Sequence, residues 1–237
     1  MNEFVATMPD VYGRLYGASE VAEHAAMVSR RGARPVHAEL WQSAKGPLLC
    51  VVAEDRPGLL ALVTDALLAQ GLAIQSARAF CRAVSKEQDE AVDFLELRAP
   101  GGPDGVAAQL DAEGLRAFAQ SLSELVVDDL ARRSSPNAVA ASRAEVRPTT
   151  RVYFERQSLV DGCYLLVVDA PDSDGLLHAV SSALHENGMR IVACEIRTVG
   201  DRARDRFEVE PSPQRVLNDG ELCDVQLAVL AALPARR

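Results

Sequence analysis

Two short turns carry side chains suited to binding a small charged molecule. The first turn contains Asp55, Arg56, Pro57, Gly58 and Leu59, between an apolar run and apolar residues at helical spacing. A helix start offers unpaired N–H groups and a partial positive charge, and Gly58 lets a carboxylate approach the backbone closely. Asp55 suits an ammonium group, while Arg56 either bonds the carboxylate or points to water. These groups favour an amino acid as the ligand.

The first turn also has a purely structural interpretation. Asp is common at the position that caps a helix, and Pro is favoured at the first helical residue. Gly eases a tight turn whether or not a ligand is present. From the turn alone, both interpretations stay open.

The second turn is more acidic than the first. Its candidate ligand-binding residues are Asp172, Asp174, Gly175 and Leu176, and Asp169 lies just upstream. Carboxylates suit a helix N-terminus but repel a ligand carboxylate, so we expect an altered or degraded site here and the main effector site at the first turn. The Asp-x-Asp form of this turn also occurs at magnesium sites. No phosphate loop or further acidic strand accompanies it, so no metal site is predicted.

Both turns belong to a duplicated segment. The residues from Leu48 match those from Leu165 without a gap, and the offset is that between Gly71 and Gly188 (188 minus 71). Each copy indicates a strand, the turn, a helix, two strands and a second helix. The fourth strand of each sheet must precede the copy, and the candidates are residues 36–41 and 151–155. The predicted order is therefore strand, strand, helix, strand, strand, helix.

Composition shifts define the predicted domains. Residues 1–34 form an N-terminal helical segment, 35–133 the first domain, 134–148 a linker rich in Ser, Ala, Arg and Pro, and 149–237 the second domain. The class is α+β, with helices packed on one face of each antiparallel sheet.

The motifs resemble those of ACT domains. The resemblance rests on DRPGLL (Asp55 to Leu60) with the following GLAIQSA, and on TVGDRARDRFEVE (Thr198 to Glu210). The second motif is similar to the C-terminal ACT region of bacterial PII uridylyltransferase/uridylyl-removing enzymes, and residues from Met8 resemble the helical segment that precedes it there. The resemblance implies two ferredoxin-like βαββαβ units that pair with each other or between chains. It also implies an effector, glutamine in those enzymes, near the first strand-to-helix turn.

Composition excludes several classes of function. A net charge of -9 and a pI near 5.0 argue against nucleic acid and anionic membranes as partners. No segment is typical of a signal peptide or a membrane span, so a cytoplasmic location is expected. The cysteines are odd in number, widely spaced and predicted to be reduced thiols: Cys50, Cys81, Cys163, Cys194 and Cys223.

No arrangement of nucleophile, base, metal ligands or phosphate loop indicates catalysis or a cofactor. The four histidines form neither His-Asp nor HExxH, and His178 and His185 are expected at the surface or at the rim of the ligand turn. We therefore expect a non-catalytic regulator of nitrogen or amino-acid metabolism that binds an amino acid such as glutamine and acts on a partner enzyme or as a homo-oligomer. The alternatives are a ligand-free ACT scaffold and a catalytically dead uridylyltransferase remnant that contacts PII.

Overall fold

The computed structural model describes residues 3–85, 88–101, 106–132, 150–160, 162–212 and 217–234. The linker predicted at 134–148 lies outside these ranges. The N-terminal half contains α1 (Glu3–Ala6), α2 (Tyr12–Leu15), α3 (Ala18–Arg31), β1 (Val36–Ser43), β2 (Gly46–Glu54), α4 (Leu59–Ala69), β3 (Ala73–Ala83), β4 (Asp89–Arg98), β5 (Ala107–Ala108) and α5 (Ala112–Arg132). The C-terminal half contains β6 (Arg151–Val160), β7 (Cys163–Pro171), α6 (Leu176–Glu186), β8 (Met189–Val199), β9 (Arg202–Pro211) and α7 (Asp219–Ala232).

The strands form one continuous antiparallel sheet. Its order is β1-β2-β4-β3-β8-β9-β7-β6, and the short β5 pairs with the end of β4. The two halves meet where β3 pairs with β8, from Ser76 opposite Arg197 to Phe80 opposite Ala193. The pairing of the two copies, which the sequence left undecided, is thus made within the chain.

Each half follows the predicted order of strand, strand, helix, strand, strand, helix. The βαββαβ order implied by the resemblance is wrong in one respect, because the edge strand comes before the unit rather than after it. In the N-terminal half, β1 folds back on β2 in a tight hairpin that ends with Ser43 opposite Gly46. That hairpin places β1 at the outer edge of the sheet, and β6 has the same place beside β7.

Helices α4 to α7 cover one face of the sheet and bury its largest core. Alternate strand residues point into this core, among them Leu95 on β4 and Phe207 on β9, and both are fully buried. Leu67 of α4 and Leu184 of α6 meet them from the helical side. Removal of this apolar surface from water is the main contribution to folding. Because the core is continuous across both halves, it also holds them together.

The N-terminal segment covers the opposite face of the first half. Trp41 and Phe94 of the sheet pack there with Tyr12 and His24, and both of the latter are fully buried. The Tyr12 hydroxyl and His24 Nδ1 are 2.6 Å apart, and Trp41 Nε1 donates to Glu23 at 2.6 Å. The two helices of the first unit, α4 and α5, lie on one face, and the separate N-terminal segment covers the large apolar residues of the other face. No helix in the described part of the chain has the length and apolar character needed to cross a membrane.

Candidate functional site

Both turns place a left-handed glycine immediately before a helix. Gly58 has a φ of 84° and Gly175 of 82°, and α4 and α6 begin at the next residues, Leu59 and Leu176. Glycine adopts this conformation without the steric cost that other residues incur. Gly58 is thus the residue at the N-cap position, and Asp55 at the start of the turn does not cap the helix, so the simple N-cap interpretation is wrong. Its side chain is left available for other contacts.

Asp55 binds an arginine of the other half. Arg190 on β8 donates from Nε to Asp55 Oδ2 at 2.9 Å and from Nη2 to Asp89 Oδ2 at 2.5 Å. Cys81 donates from Sγ to the same oxygen of Asp55 at 3.2 Å. The position expected to receive a ligand ammonium thus faces a guanidinium of the same chain.

The other residues of the first turn take different roles. Arg56 donates from Nη1 to the carbonyl oxygen of Val126 at 2.7 Å, which ties it to α5 rather than to the turn. Its buried Nε has no hydrogen-bond partner within the described ranges. Pro57 is exposed, whereas Leu59 is buried in the core. Four of the five predicted residues nevertheless line one pocket: Asp55, Arg56, Gly58 and Leu59.

The second turn also binds an arginine from the opposite half. Arg98, at the end of β4, donates from Nη1 to Asp174 Oδ1 at 2.7 Å, and its Nη2 lies 3.5 Å from Asp172 Oδ2. The backbone N–H of Gly101 donates to Asp174 Oδ2 at 2.8 Å. The arginine side chain is only 1% exposed, so the two carboxylates balance a buried charge. The two acidic side chains of this turn thus have a basic partner, Arg98, inside the chain.

A pocket lies beside each turn, at the boundary between the halves. The pocket at the first turn includes Asp55 and Asp93 with Ser181 and Met189 of the other half. The pocket at the second turn is lined by Arg98, Asp172, Asp174, Asp205 and Ile74, together with residues of α4 and α6. The free cavity volume is about 30 Å³ in each, room for one or two water molecules. An amino acid can enter only if a side chain moves.

Each pocket contains a buried aspartate from the middle of a strand. Burial raises the pKa of Asp93 to about 8, and the nearby charge of Asp55 adds to the shift. Burial likewise raises the pKa of Asp205 to about 8, with Asp172 raising it further and the N–H of Arg197 opposing the shift. Both carboxyls are mainly protonated at neutral pH, so each can donate a hydrogen bond or release a proton when a cation arrives.

The two histidines of α6 occupy the contact with the first half. His178 Nδ1 lies 3.2 Å from Thr64 Oγ1 and 3.2 Å from Asp65 Oδ1. The ring of His185 packs so closely on Gly58 that an added Cβ would lie 3.0 Å from it. His178 also lines the pocket at the second turn, in agreement with the predicted position at its rim.

Within the described ranges, Asp55, Cys81 and Asp89 form the one group of acidic and sulfur ligands compact enough to surround a cation. Arg190 Nη2 also donates to Cys81 Sγ, so its guanidinium reaches all three residues. Burial, and next the charge of Asp55, raise the pKa of the Cys81 thiol above its usual range. A protonated thiol is neither a nucleophile nor a good metal ligand. The arrangement suits a guanidinium rather than a metal ion.

The sequence-based site lacked three residues that line the pockets, Asp93, Asp205 and Arg98, and also Arg190, which binds Asp55 from β8. A signal existed for the aspartates, since an acidic residue interrupts the strand pattern at the same place in EAVDFLEL and RARDRFEV. Neither arginine had a comparable signal. Each reaches its carboxylates across the boundary between the halves, a contact that local sequence does not encode.

The fold and the pockets define an α+β protein whose two halves share a sheet and complete each other's pockets. A bifunctional uridylyltransferase/uridylyl-removing enzyme of Phenylobacterium zucineum is 24% identical over 229 residues, which are 95% of this chain and 24% of that protein. The enzyme of the same name from Xanthomonas campestris is 28% identical over 184 residues, which are 77% of this chain and 20% of that protein. The chain is thus weakly similar to these enzymes along most of its length and spans about a quarter or less of theirs.

Comparisons with family models and with solved structures do not assign the chain to a family. No family model matches the sequence. Among solved structures, an aspartate kinase from Synechocystis aligns with a TM-score of 0.39 and 13% identity, over 77% of this chain and 26% of the kinase.

Proposed function

We propose that this chain is a non-catalytic regulatory protein of two ferredoxin-like ACT domains that binds an amino acid such as glutamine. One observation carries the proposal: repeat-related pockets at the boundary of the halves each combine a turn aspartate, a buried aspartate and an arginine of the opposite half close by. Carboxylate and guanidinium groups are the complements of the ammonium and carboxylate of an amino acid. The resemblance of the Thr198 to Glu210 motif to PII uridylyltransferases, whose effector is glutamine, supports a link to nitrogen metabolism.

The pockets also suggest how an effector acts. Because each pocket contains groups from both halves, a bound molecule contacts both and changes how strongly they pair. An effector that binds one arrangement of the halves more tightly shifts the population toward that arrangement. A partner enzyme or a second copy then responds to the shift, and the outer strands β1 and β6 offer edges on which such a partner can pair.

A thermal-shift screen against the twenty amino acids tests this function. A ligand that binds only the folded state raises the melting temperature by mass action, by an amount that grows with the ratio of concentration to Kd. We expect one or a few amino acids to raise it at millimolar concentration and the others to have no effect. An equal response to all twenty, or to none, would contradict the proposal.

The second candidate function is a scaffold whose halves pair without a ligand. It is favoured by the small free volume of both pockets and by the arginines that already bind the turn aspartates. A third, a remnant that contacts PII, is supported only by the resemblance of the Thr198 to Glu210 motif to PII uridylyltransferases. Pull-down with purified PII separates it from the other two, since neither of them requires that protein to bind.

A further inference from the structure

The pocket at the second turn holds a buried donor and a buried acceptor whose bonds are unmet. Arg98 Nε and Asp205 Oδ2 have no hydrogen-bond partner in the part of the chain that the structure describes. Each residue is only 1% exposed, and both line this pocket. An unsatisfied buried polar group is costly, so such groups are normally retained where something else binds them.

A zwitterion satisfies both groups at once. Its carboxylate accepts from the guanidinium of Arg98, and its ammonium donates to the carboxyl of Asp205. The chemistry is that of an α-amino acid, whose two charges are close enough together to fit one small pocket. A water molecule also satisfies the two atoms, and it is the occupant against which the experiment below discriminates.

Space for the ligand carboxylate is created by exchange. Asp174, 33% exposed at its side chain, is the partner of Arg98 nearest to solvent. When Asp174 turns toward solvent, an entering carboxylate accepts from Arg98 Nε and leaves Asp172 in place. One carboxylate substitutes for another, so the buried guanidinium never loses its charge balance.

Among the described residues, the pocket at the first turn also has an unmet donor, Arg56 Nε, but its turn aspartate already holds a guanidinium. Arg190 uses Nε on Asp55, and Nη2 on Asp89 and Cys81. Its contacts join β8 to the first turn and to the start of β4. This cluster therefore works as a permanent clamp between the halves.

We propose that the chain binds one effector, an α-amino acid, in the pocket at the second turn, where Arg98 binds its carboxylate and Asp205 its ammonium group, while Arg190 keeps the first turn closed. The inference rests on the proposed function and deepens it. It assigns the effector site to the second, more acidic turn, whereas the sequence alone favoured the first turn.

Isothermal titration of the full chain with L-glutamine and each of the other nineteen amino acids tests the assignment. The matched variants are Arg98→Lys and Arg190→Lys, which keep the charge but lose the planar fork. We expect one molecule bound per chain, an affinity lowered about tenfold or more in Arg98→Lys, and an affinity within about threefold of wild type in Arg190→Lys. Asp205→Asn, which keeps the shape of the side chain, provides a second test if Arg98→Lys fails to fold, and it should weaken binding to a similar extent.

The opposite outcomes are distinct. Two molecules per chain, or binding lost in Arg190→Lys but retained in Arg98→Lys and Asp205→Asn, would overturn this inference and leave the proposed function intact. No binding of any of the twenty amino acids to the wild-type chain would overturn both, and would assign the unmet bonds of the pocket to water.

Discussion

Arg78 and Glu195 face each other across the strand pair that joins the two halves, with Nη2 and Oε1 3.4 Å apart. They are equivalent residues of the two copies, because 195 minus 78 equals the repeat offset, 188 minus 71. The local two-fold axis of the sheet therefore passes between two residues of opposite charge.

Exchange of the charges of Arg78 and Glu195 by mutation tests whether this pair stabilises the fold. Arg78→Glu or Glu195→Arg alone places like charges opposite each other, and each should lower the free energy of unfolding by about 0.5–1 kcal/mol, since both side chains are partly exposed. The double exchange should restore most of the loss, as measured by urea denaturation in a double-mutant cycle. Losses that simply add in the double variant would show that the pair does not interact.

The clamp at the first turn predicts a loss of stability when Arg190 is removed. Arg190→Ala leaves Asp55 and Asp89 without their guanidinium, and we expect the free energy of unfolding to fall by about 2 kcal/mol. Arg204→Ala is the matched control, because Arg204 is 69% exposed and lies as far as 3.8 Å from its partner Asp169. Its change should stay within about 0.5 kcal/mol. Equal effects of the two variants in chemical denaturation would refute the clamp.

The buried aspartates predict a loss of stability toward alkaline pH. The pKa of Asp93 is raised from 3.8 to about 8 in the folded chain, so the folded state holds the proton more tightly than the unfolded state. That contribution is complete below the unfolded pKa and disappears as the pH rises from about 4 through 8. Asp93→Asn should flatten this part of the profile of melting temperature against pH. A variant profile parallel to that of the wild type would contradict the assignment.

The affinity for the effector should depend on pH in the opposite direction and increase as the pH rises. Asp205 faces Asp172 and Arg98, the pocket also contains Asp174 and His178, and the backbone N–H of Arg197 is its bond donor. Because burial raises its pKa to about 8, Asp205 must release a proton to receive an ammonium group. Affinity for the bound amino acid should therefore rise from about pH 6 to 8, with proton release detected by titration in buffers of different ionisation enthalpy. Binding without proton release would exclude Asp205 as the contact.

His24 predicts acid release of the N-terminal segment. Burial lowers its pKa to about 4, so the folded state resists protonation. Its contribution is present above the unfolded pKa of 6.5 and is lost as the pH falls toward 4. Trp41, the single tryptophan, has its ring centroid 4.3 Å from that of His24 and reports the change by fluorescence. His24→Phe should remove the transition between these pH values, and its persistence would assign it to other groups.

Two equivalent glycines predict unequal costs of substitution. Gly175→Ala meets no atom within 4 Å and loses only the left-handed preference, about 1 kcal/mol. Gly58→Ala adds a contact of 3.0 Å with the ring of His185, for a total of about 2–3 kcal/mol. The difference, measured by thermal unfolding, should disappear when His185→Ala is present in both. Equal costs in the wild-type background would contradict the packing of α6 on the first turn.

Sequence periodicity was sufficient to predict the strands and helices, but it was insufficient to predict the contacts between the two halves. The order of strands and helices, the edge strands from residues 36 and 151, and the helix starts beside the two turns followed from local patterns. The role of Arg56 did not, because Val126 reaches it from 70 residues away. Nor did the burial of His24, since neither its neighbours along the chain nor its type indicated an aromatic environment. Contacts of this kind depend on tertiary packing, which a single sequence does not display.

Arg98 and Arg190 each bind carboxylates of the opposite half, and this has a consequence for how a duplicated gene can evolve. Position 73 of the first copy, equivalent to Arg190, is Ala73, and position 210 of the second copy, equivalent to Arg98, is Glu210. A dimer of two first halves would lack the guanidinium that Asp55 binds, and a dimer of two second halves would set Glu210 against Asp172 and Asp174. Each copy is thus dependent on the other and unsuited to its own kind, an arrangement that disfavours the wrong partner. Such a pair no longer has to preserve two identical sites, and each is free to specialise.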